Sequence, residues 1–203
     1  MKINCKLSLS FMLILFVISC VSPTFESPAV CKGSQSWLGF STGIRCFDYS
    51  IPDEYSRLNS KGFAVSYGFV YGFNNNLGLT SSSSFYSVSS EYWESRHTDY
   101  YYSLYLAPKI EFTKISSPVI FSTSIGPSYP ELLKTQIMLG FKSKKDEIFA
   151  LGIHLSFYCP YDVFINIGPA EASGIVIYLG YQIPYFDNPL NLAAGLGYRL
   201  RSF

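Results

Sequence analysis

The chain has 203 residues, 48% hydrophobic, 18% aromatic and only 14% charged, with a formal net charge of +1. Ordinary soluble domains carry roughly 25% charged residues, and a chain this near neutrality has no field to attract nucleic acid or acidic substrates. The length suits one domain, so this many apolar groups need something other than an ordinary water-facing surface.

The N-terminus, "MKINCKLSLSFMLILFVISC", places Lys2 and Lys6 before an apolar run from Leu7 to Ile18 and a small-residue boundary at Ser19-Cys20. That is the order of a secretory signal, over residues 1–20. The apolar run falls short of the about 18 residues a spanning helix needs, so the segment directs export and does not anchor the chain as a helix. Two processing sites stay open. "VISC" resembles the lipobox of bacterial lipoproteins, which implies that Cys20 is lipidated and becomes the mature N-terminus. Alternatively, a general signal peptidase cuts after Ala29, with Ser27 and Ala29 as the small residues. Residues 21–36, rich in Ser and Pro, read as a flexible linker, and 37–203 as the folded domain.

From Trp37 onward the apolar period is two, the mark of strands. The pattern predicts strands near 37–48, 62–73, 77–88, 98–112, 118–126, 133–142, 147–158, 173–183 and 190–201. In "GFAVSYGFVYGF", Phe63, Val65, Tyr67, Phe69, Tyr71 and Phe73 oppose Ala64, Ser66, Gly68, Val70 and Gly72. "EIFALGIHLSFY" and "SGIVIYLGYQI" repeat the split, whereas "LGLTSSSSFYSV" follows it poorly. A soluble sheet would put many Lys, Glu, Asp and Arg on its second face. Here that face is mostly Gly, Ala, Ser and Tyr, which suits a crowded interior. The apolar face is then the outside, and an apolar outside means lipid.

Short connections at Asn74–Asn76, Thr113–Ser117 and Lys142–Asp146 alternate with longer ones at Tyr49–Lys61, Ser89–His97 and Cys159–Ala172. Barrels of this kind have an even strand number. Nine segments therefore require a tenth, at Asp162–Gly168, or a fusion of two. Cys31 and Cys46 fall at opposite ends of the first strand, far beyond disulfide reach, and are expected not to bridge.

With its face chemistry, turn pattern and closing "GLGYRLRSF", the chain resembles the small bacterial outer-membrane β-barrel proteins of the OmpX, OmpA-transmembrane and OmpW kind. The resemblance implies an all-β, closed antiparallel up-and-down transmembrane β-barrel of eight or ten strands, integral to the outer membrane of a bacterial cell. It also implies contact with outer-membrane lipids and recognition by the barrel-assembly machinery through the terminal strand ending at Phe203. Leu196, Tyr198 and Leu200 share the outward row, so strict alternation makes Ser202 the outward residue; a bulge at Arg201-Ser202 would bring Phe203 back into phase.

Candidate sites follow from the faces. The inward charged or polar set is Arg45, Lys109, Glu111, Lys134 and His154, with Lys142, Arg199 and Arg201 expected near the watery ends. Only Glu111 is acidic among the charges. His154 and Ser156 stand two apart on one face and resemble the pair used by small barrels that deacylate lipid A. In this chain Phe157 stands where that class has Asn, and the phase turns His154 inward. The run from Tyr100 to Tyr102 reads as an aromatic girdle. Glu91, Tyr92, Trp93 and Arg96 form a candidate surface loop for a host or surface ligand. Three readings result: a structural, adhesion or narrow-transport barrel without catalysis; a lipid-modifying barrel enzyme; and a membrane-anchored lipoprotein with a lipocalin-like soluble barrel. None calls for a cofactor, a metal or nucleic acid.

Overall fold

The computed structural model describes residues 23–46, 59–92, 95–113, 117–143, 147–156, 162–169, 171–182 and 190–202. Strands form where aromatic, β-branched or leucine side chains alternate with glycine, alanine, serine or a single polar group, a pattern that fits a pleated chain with two unlike faces. Among the described residues there are ten: β1 (Gly33–Cys46), β2 (Asn59–Gly72), β3 (Leu77–Tyr92), β4 (Ser95–Glu111), β5 (Val119–Tyr129), β6 (Leu132–Lys142), β7 (Glu147–Ser156), β8 (Asp162–Pro169), β9 (Gly174–Gln182) and β10 (Leu190–Ser202). Each pairs antiparallel with its chain neighbours, and β10 returns to β1 to close the barrel. Closure removes every free edge.

Ten is the larger of the two expected counts. The tenth strand is β8, inside the stretch that the sequence reads as a long loop from Cys159 to Ala172. The expected loop Ser89–His97 is also corrected, since β3 and β4 run on to Tyr92 and Ser95 and pair Ser90 with His97 and Glu91 with Arg96. Once a hairpin is zipped, each further pair closes its backbone hydrogen bonds without needing apolar burial, so polar residues extend it. Serine blurs the alternation of β3, which the sequence nonetheless predicts at 77–88, because it serves both faces. Ser84 donates inward to Ser66 Oγ at 2.8 Å, while Ser83, in the outward row, donates to the Tyr102 phenol at 3.1 Å. Pairing between β4 and β5 lapses from Leu106 to Pro108 opposite Ile125 to Pro127, where two prolines supply no N–H to the ladder.

Every strand carries an exposed large apolar side chain on its outer face, from Leu38 on β1 and Phe63 on β2 to Ile177 on β9 and Leu196 on β10. Tyr71, Phe73 and Phe112 ring the end where β1 begins and β10 stops; Tyr100, which stacks with Phe85 at 5.9 Å, and Tyr129 ring the other. An apolar band between aromatic girdles is the outer surface of a barrel built to span a bilayer. A lipocalin-like soluble barrel would place this band inside, so that reading is corrected. The fold is a transmembrane β-barrel of the outer-membrane type.

The β1–β10 register runs without a slip from Cys46↔Leu190 to Ser34↔Ser202. No bulge interrupts β10 up to Ser202, and Phe203 lies outside the described residues. At the same end, the Asn74 side chain accepts from the Asn76 and Leu77 amides, at 2.8 Å each, an Asx turn that joins β2 to β3.

The largest departure from expectation concerns the linker. The signal segment 1–20, including Cys20, lies outside the described residues, but Thr24, Phe25, Glu26, Ser27, Ala29 and Val30 are all buried, inside the barrel. Strand β1 starts at Gly33, ahead of the expected Trp37. Gly33, at φ +104°, makes the turn from the lumen segment into β1, a conformation that side chains resist. The interior core gathers Phe25, Trp37, Met138, Phe164 and Tyr178. Ile177→Arg, in the middle of β9 and facing lipid, is expected to lower the stability of the folded barrel by about 2–4 kcal/mol. Urea titration of the protein in liposomes measures this, and a change near zero would mean that the face does not meet lipid.

Candidate functional site

Alternation turns Thr80 on β3, Lys109 and Glu111 on β4, Gln136 on β6, Asn166 on β8 and Arg199 on β10 into the lumen, where all are buried. The segment 23–30 runs among them without a strand partner, so its backbone groups must be satisfied by side chains. Asn166 Nδ2 donates to the Thr24 carbonyl at 2.9 Å and to the Glu26 carbonyl at 3.1 Å. Arg199 donates through Nε and Nη2 to the Phe25 carbonyl, at 3.1 and 2.6 Å, and through Nη1 to the Pro169 carbonyl. Lys109 Nζ donates to the Ser27 carbonyl, and Glu111 Oε2 accepts from the Val30 amide at 2.7 Å. Four successive carbonyls are thereby matched to wall side chains.

The Glu26 carboxylate stands at the centre. Lys109 Nζ lies 2.5 Å from its Oε1, while Oε2 accepts from Thr80 Oγ1 at 3.0 Å and from Gln136 Nε2 at 3.5 Å. Both charges of the pair are almost fully out of water, Lys109 1% and Glu26 1% exposed. Taking two charges from water is expensive, and only close pairing with further hydrogen bonds offsets it. On the other side of the segment the Phe25 ring packs 5.7 Å from Trp37 and 5.6 Å from Tyr178, centroid to centroid. A Cβ on Gly39 or Gly197 would fall into that ring, and one on Gly140 would meet Pro28 at 2.5 Å.

The sequence pattern predicts Arg199 near a watery end. It is instead 0% exposed, because carbonyls of the segment and of Pro169 replace its hydration. Lys142 and Arg201 do sit half-buried at the turn end, where Glu171 meets them at 2.5 and 3.9 Å. Lys134 is buried and holds its ammonium 5.7 Å from the Tyr105 ring centre, within cation–π range. Tyr105 donates to Ser124 Oγ at 2.8 Å. Cys31, just ahead of β1, bears no disulfide; burial, with Glu171 adding to it, pushes its thiol up, so it stays protonated at neutral pH.

His154 points into the lumen, its ring tilted against that of Phe164 at 4.7 Å between centroids, with Nδ1 3.8 Å from Asp162 Oδ2. That acid is the partner the sequence does not identify, but the separation exceeds a hydrogen bond. Ser156 is half-buried on the same inward face. The pair therefore faces away from membrane lipid. Arg45, Glu91, Tyr92 and Arg96 have backbone placed in strands; their side chains, and Trp93 altogether, lie outside the described residues. Among the described residues no group of His, Cys, Asp and Glu is arranged to hold a metal ion.

No protein-family model and no curated protein matches the chain. Solved structures do resemble it. Ail, the attachment invasion locus protein of Yersinia pestis, is 20% identical over 83% of this chain and 99% of its own, with a TM-score of 0.39. An outer membrane channel from Pseudomonas putida F1 is 12% identical over 91% and 100%, with a TM-score of 0.48. Neisserial surface protein A is 13% identical over 84% and 100%, with a TM-score of 0.34. At these identities and scores the likeness stops at general form.

Glu26, Thr80, Gln136 and Asn166 are the site residues that sequence reasoning misses. The missing acid was signalled by an inward set with several bases and only Glu111 against them. Lys109→Met alone is expected to destabilise the folded barrel by about 3–5 kcal/mol by stranding Glu26, and adding Glu26→Gln should return most of that loss. Urea unfolding in detergent reads the cycle; additive losses would show that the two groups are not paired.

Proposed function

We propose that the chain is a small, non-enzymatic outer-membrane barrel for narrow transport, closed at rest by its own segment 23–30. One observation carries this reading: the lumen is filled by a stretch of chain held through hydrogen bonds and one ion pair, not by wall side chains alone. An eight-stranded wall nearly fills its own interior. Ten strands leave room for a removable occupant. Polar contacts suit removal, because water and solute replace them as the segment leaves.

The reading requires that processing keep the segment. A cut at Cys20, with or without lipidation, keeps it, whereas a cut after Ala29 discards Thr24 to Ser27 and leaves Lys109 and Arg199 buried without those acceptors. The turn end, with both barrel termini, is the periplasmic end in this proposal, and the strand ending at Phe203 is the part the barrel-assembly machinery engages. Catalysis on lipid by His154 and Ser156 is disfavoured by their inward direction; His154→Ala is expected to leave cellular lipid composition unchanged.

A second reading, surface attachment, is favoured by the β3–β4 hairpin. Its strands are 16 and 17 residues long against 8 for β8, and the sequence at and between their ends holds Glu91, Tyr92, Trp93 and Arg96, the candidate residues for a host or surface ligand.

The transport reading is tested by bilayer recording after intact-mass measurement has shown that the mature chain begins ahead of Thr24. A charge-assisted hydrogen bond contributes about 1.5–3 kcal/mol, so Phe25→Ala/Glu26→Gln should raise the open fraction at least about tenfold. Equal, continuous conductance in both proteins would contradict closure by this segment, as would a mature chain that starts after Ala29.

A further inference from the structure

The segment does more than fill space. Glu26 presents a carboxylate to donors from three different strands: Lys109 Nζ from β4 at 2.5 Å, Thr80 Oγ1 from β3 at 3.0 Å and Gln136 Nε2 from β6 at 3.5 Å. All three side chains are at least nine-tenths buried. Beside them Arg199 and Asn166 hold the carbonyls of Phe25 and of Thr24 and Glu26. The wall thus offers one carboxylate seat and, one residue along, a second seat for acceptor oxygens. We infer that this is a solute site for small dicarboxylates, and that Glu26 with the adjoining carbonyls occupies it in their place.

The inference rests on the gated-barrel reading, because the seat empties only when segment 23–30 moves. Its chemistry is fixed by what is left behind. Lys109 would lose the Glu26 carboxylate and the Ser27 carbonyl, and Arg199 would lose the Phe25 carbonyl while keeping that of Pro169. A buried cation that loses its anion is strongly disfavoured, and Glu111, which gives up the Val30 amide, offsets only one of the charges. Lys134 adds to this imbalance: it is buried, with its ammonium 5.7 Å from the Tyr105 ring centre. An incoming molecule with two carboxylates restores both sets of contacts. A neutral solute of equal size restores neither, and a cation meets three basic groups, Lys109, Lys134 and Arg199, against the two wall carboxylates of Glu111 and Asp162, a net repulsion.

The test uses the mature full-length protein in liposomes, with Phe25→Ala/Glu26→Gln to loosen the segment while leaving the wall intact. Swelling rates are compared for succinate and for erythritol, a neutral solute of similar size. Succinate is expected to enter about tenfold faster, the factor that corresponds to 1.4 kcal/mol of preference. Adding Lys109→Met should bring succinate down to the erythritol rate. If that variant does not insert, Gln136→Leu serves in its place, with a smaller loss in the same direction. Succinate should also raise the temperature at which the loosened barrel shifts to its unfolded gel mobility. Equal rates for the two solutes in the loosened barrel, together with no such rise, would overturn the dicarboxylate site and leave the gate standing. Swelling by neither solute would overturn the gate itself, and the site with it.

Discussion

Lipid supplies no hydrogen-bond partners, and that constraint governs the whole molecule. Within a bilayer each backbone N–H and C=O must be satisfied by the protein, so the strands pair side by side until β10 meets β1. The side-chain period of two then leaves no freedom in sorting residues. What is apolar and large points out; what is small or polar points in. Tyr105, Lys109 and Glu111 are buried for the same reason that Leu104, Leu106 and Ile110 are exposed. In water this sorting would leave a large sticky surface. In lipid it is the stable one.

Inside the wall, a second requirement follows. A barrel of ten strands has a lumen that its inward glycines and serines do not fill. Segment 23–30 supplies the missing volume through Phe25, Pro28 and Val30, and the missing negative charge through Glu26. The glycines at positions 39, 140 and 197 are then explained by what lies against them: a side chain at any of the three would displace Phe25 or Pro28. The carbonyl-binding roles of Arg199 and Asn166 belong to the same arrangement. Their partners lie 174 and 142 residues away in the chain, so the segment couples the start of the domain to its last strand.

The sequence made the wall legible and left its contents hidden. Alternation in "GFAVSYGFVYGF" and "SGIVIYLGYQI" reports directly on lipid and lumen, since a strand residue has only two directions to choose from. It fails in "LGLTSSSSFYSV" because serine is acceptable on both faces, and at Asp162 to Pro169 because a strand of eight residues gives too few repeats to separate from a loop. The segment carries no such signal. Its conformation is irregular, and it is fixed by long-range contacts such as Lys109 with Glu26 and Arg199 with the Phe25 carbonyl, which no local pattern encodes. The inward glycines are legible as tight packing, but a glycine does not name what packs on it. His154 similarly shows its direction in the sequence and its neighbour Asp162 only in the fold.

The filled lumen depends on Phe25 and Glu26 lying inside the barrel. Nuclear magnetic resonance of the mature protein in detergent micelles, with phenylalanine ring and glycine labels, tests this directly. The Phe25 ring protons should show cross-relaxation to the α protons of Gly39 and Gly197, with those α protons shifted by the ring current. Narrow Phe25 signals at random-coil positions, without contact to either glycine, would contradict the account.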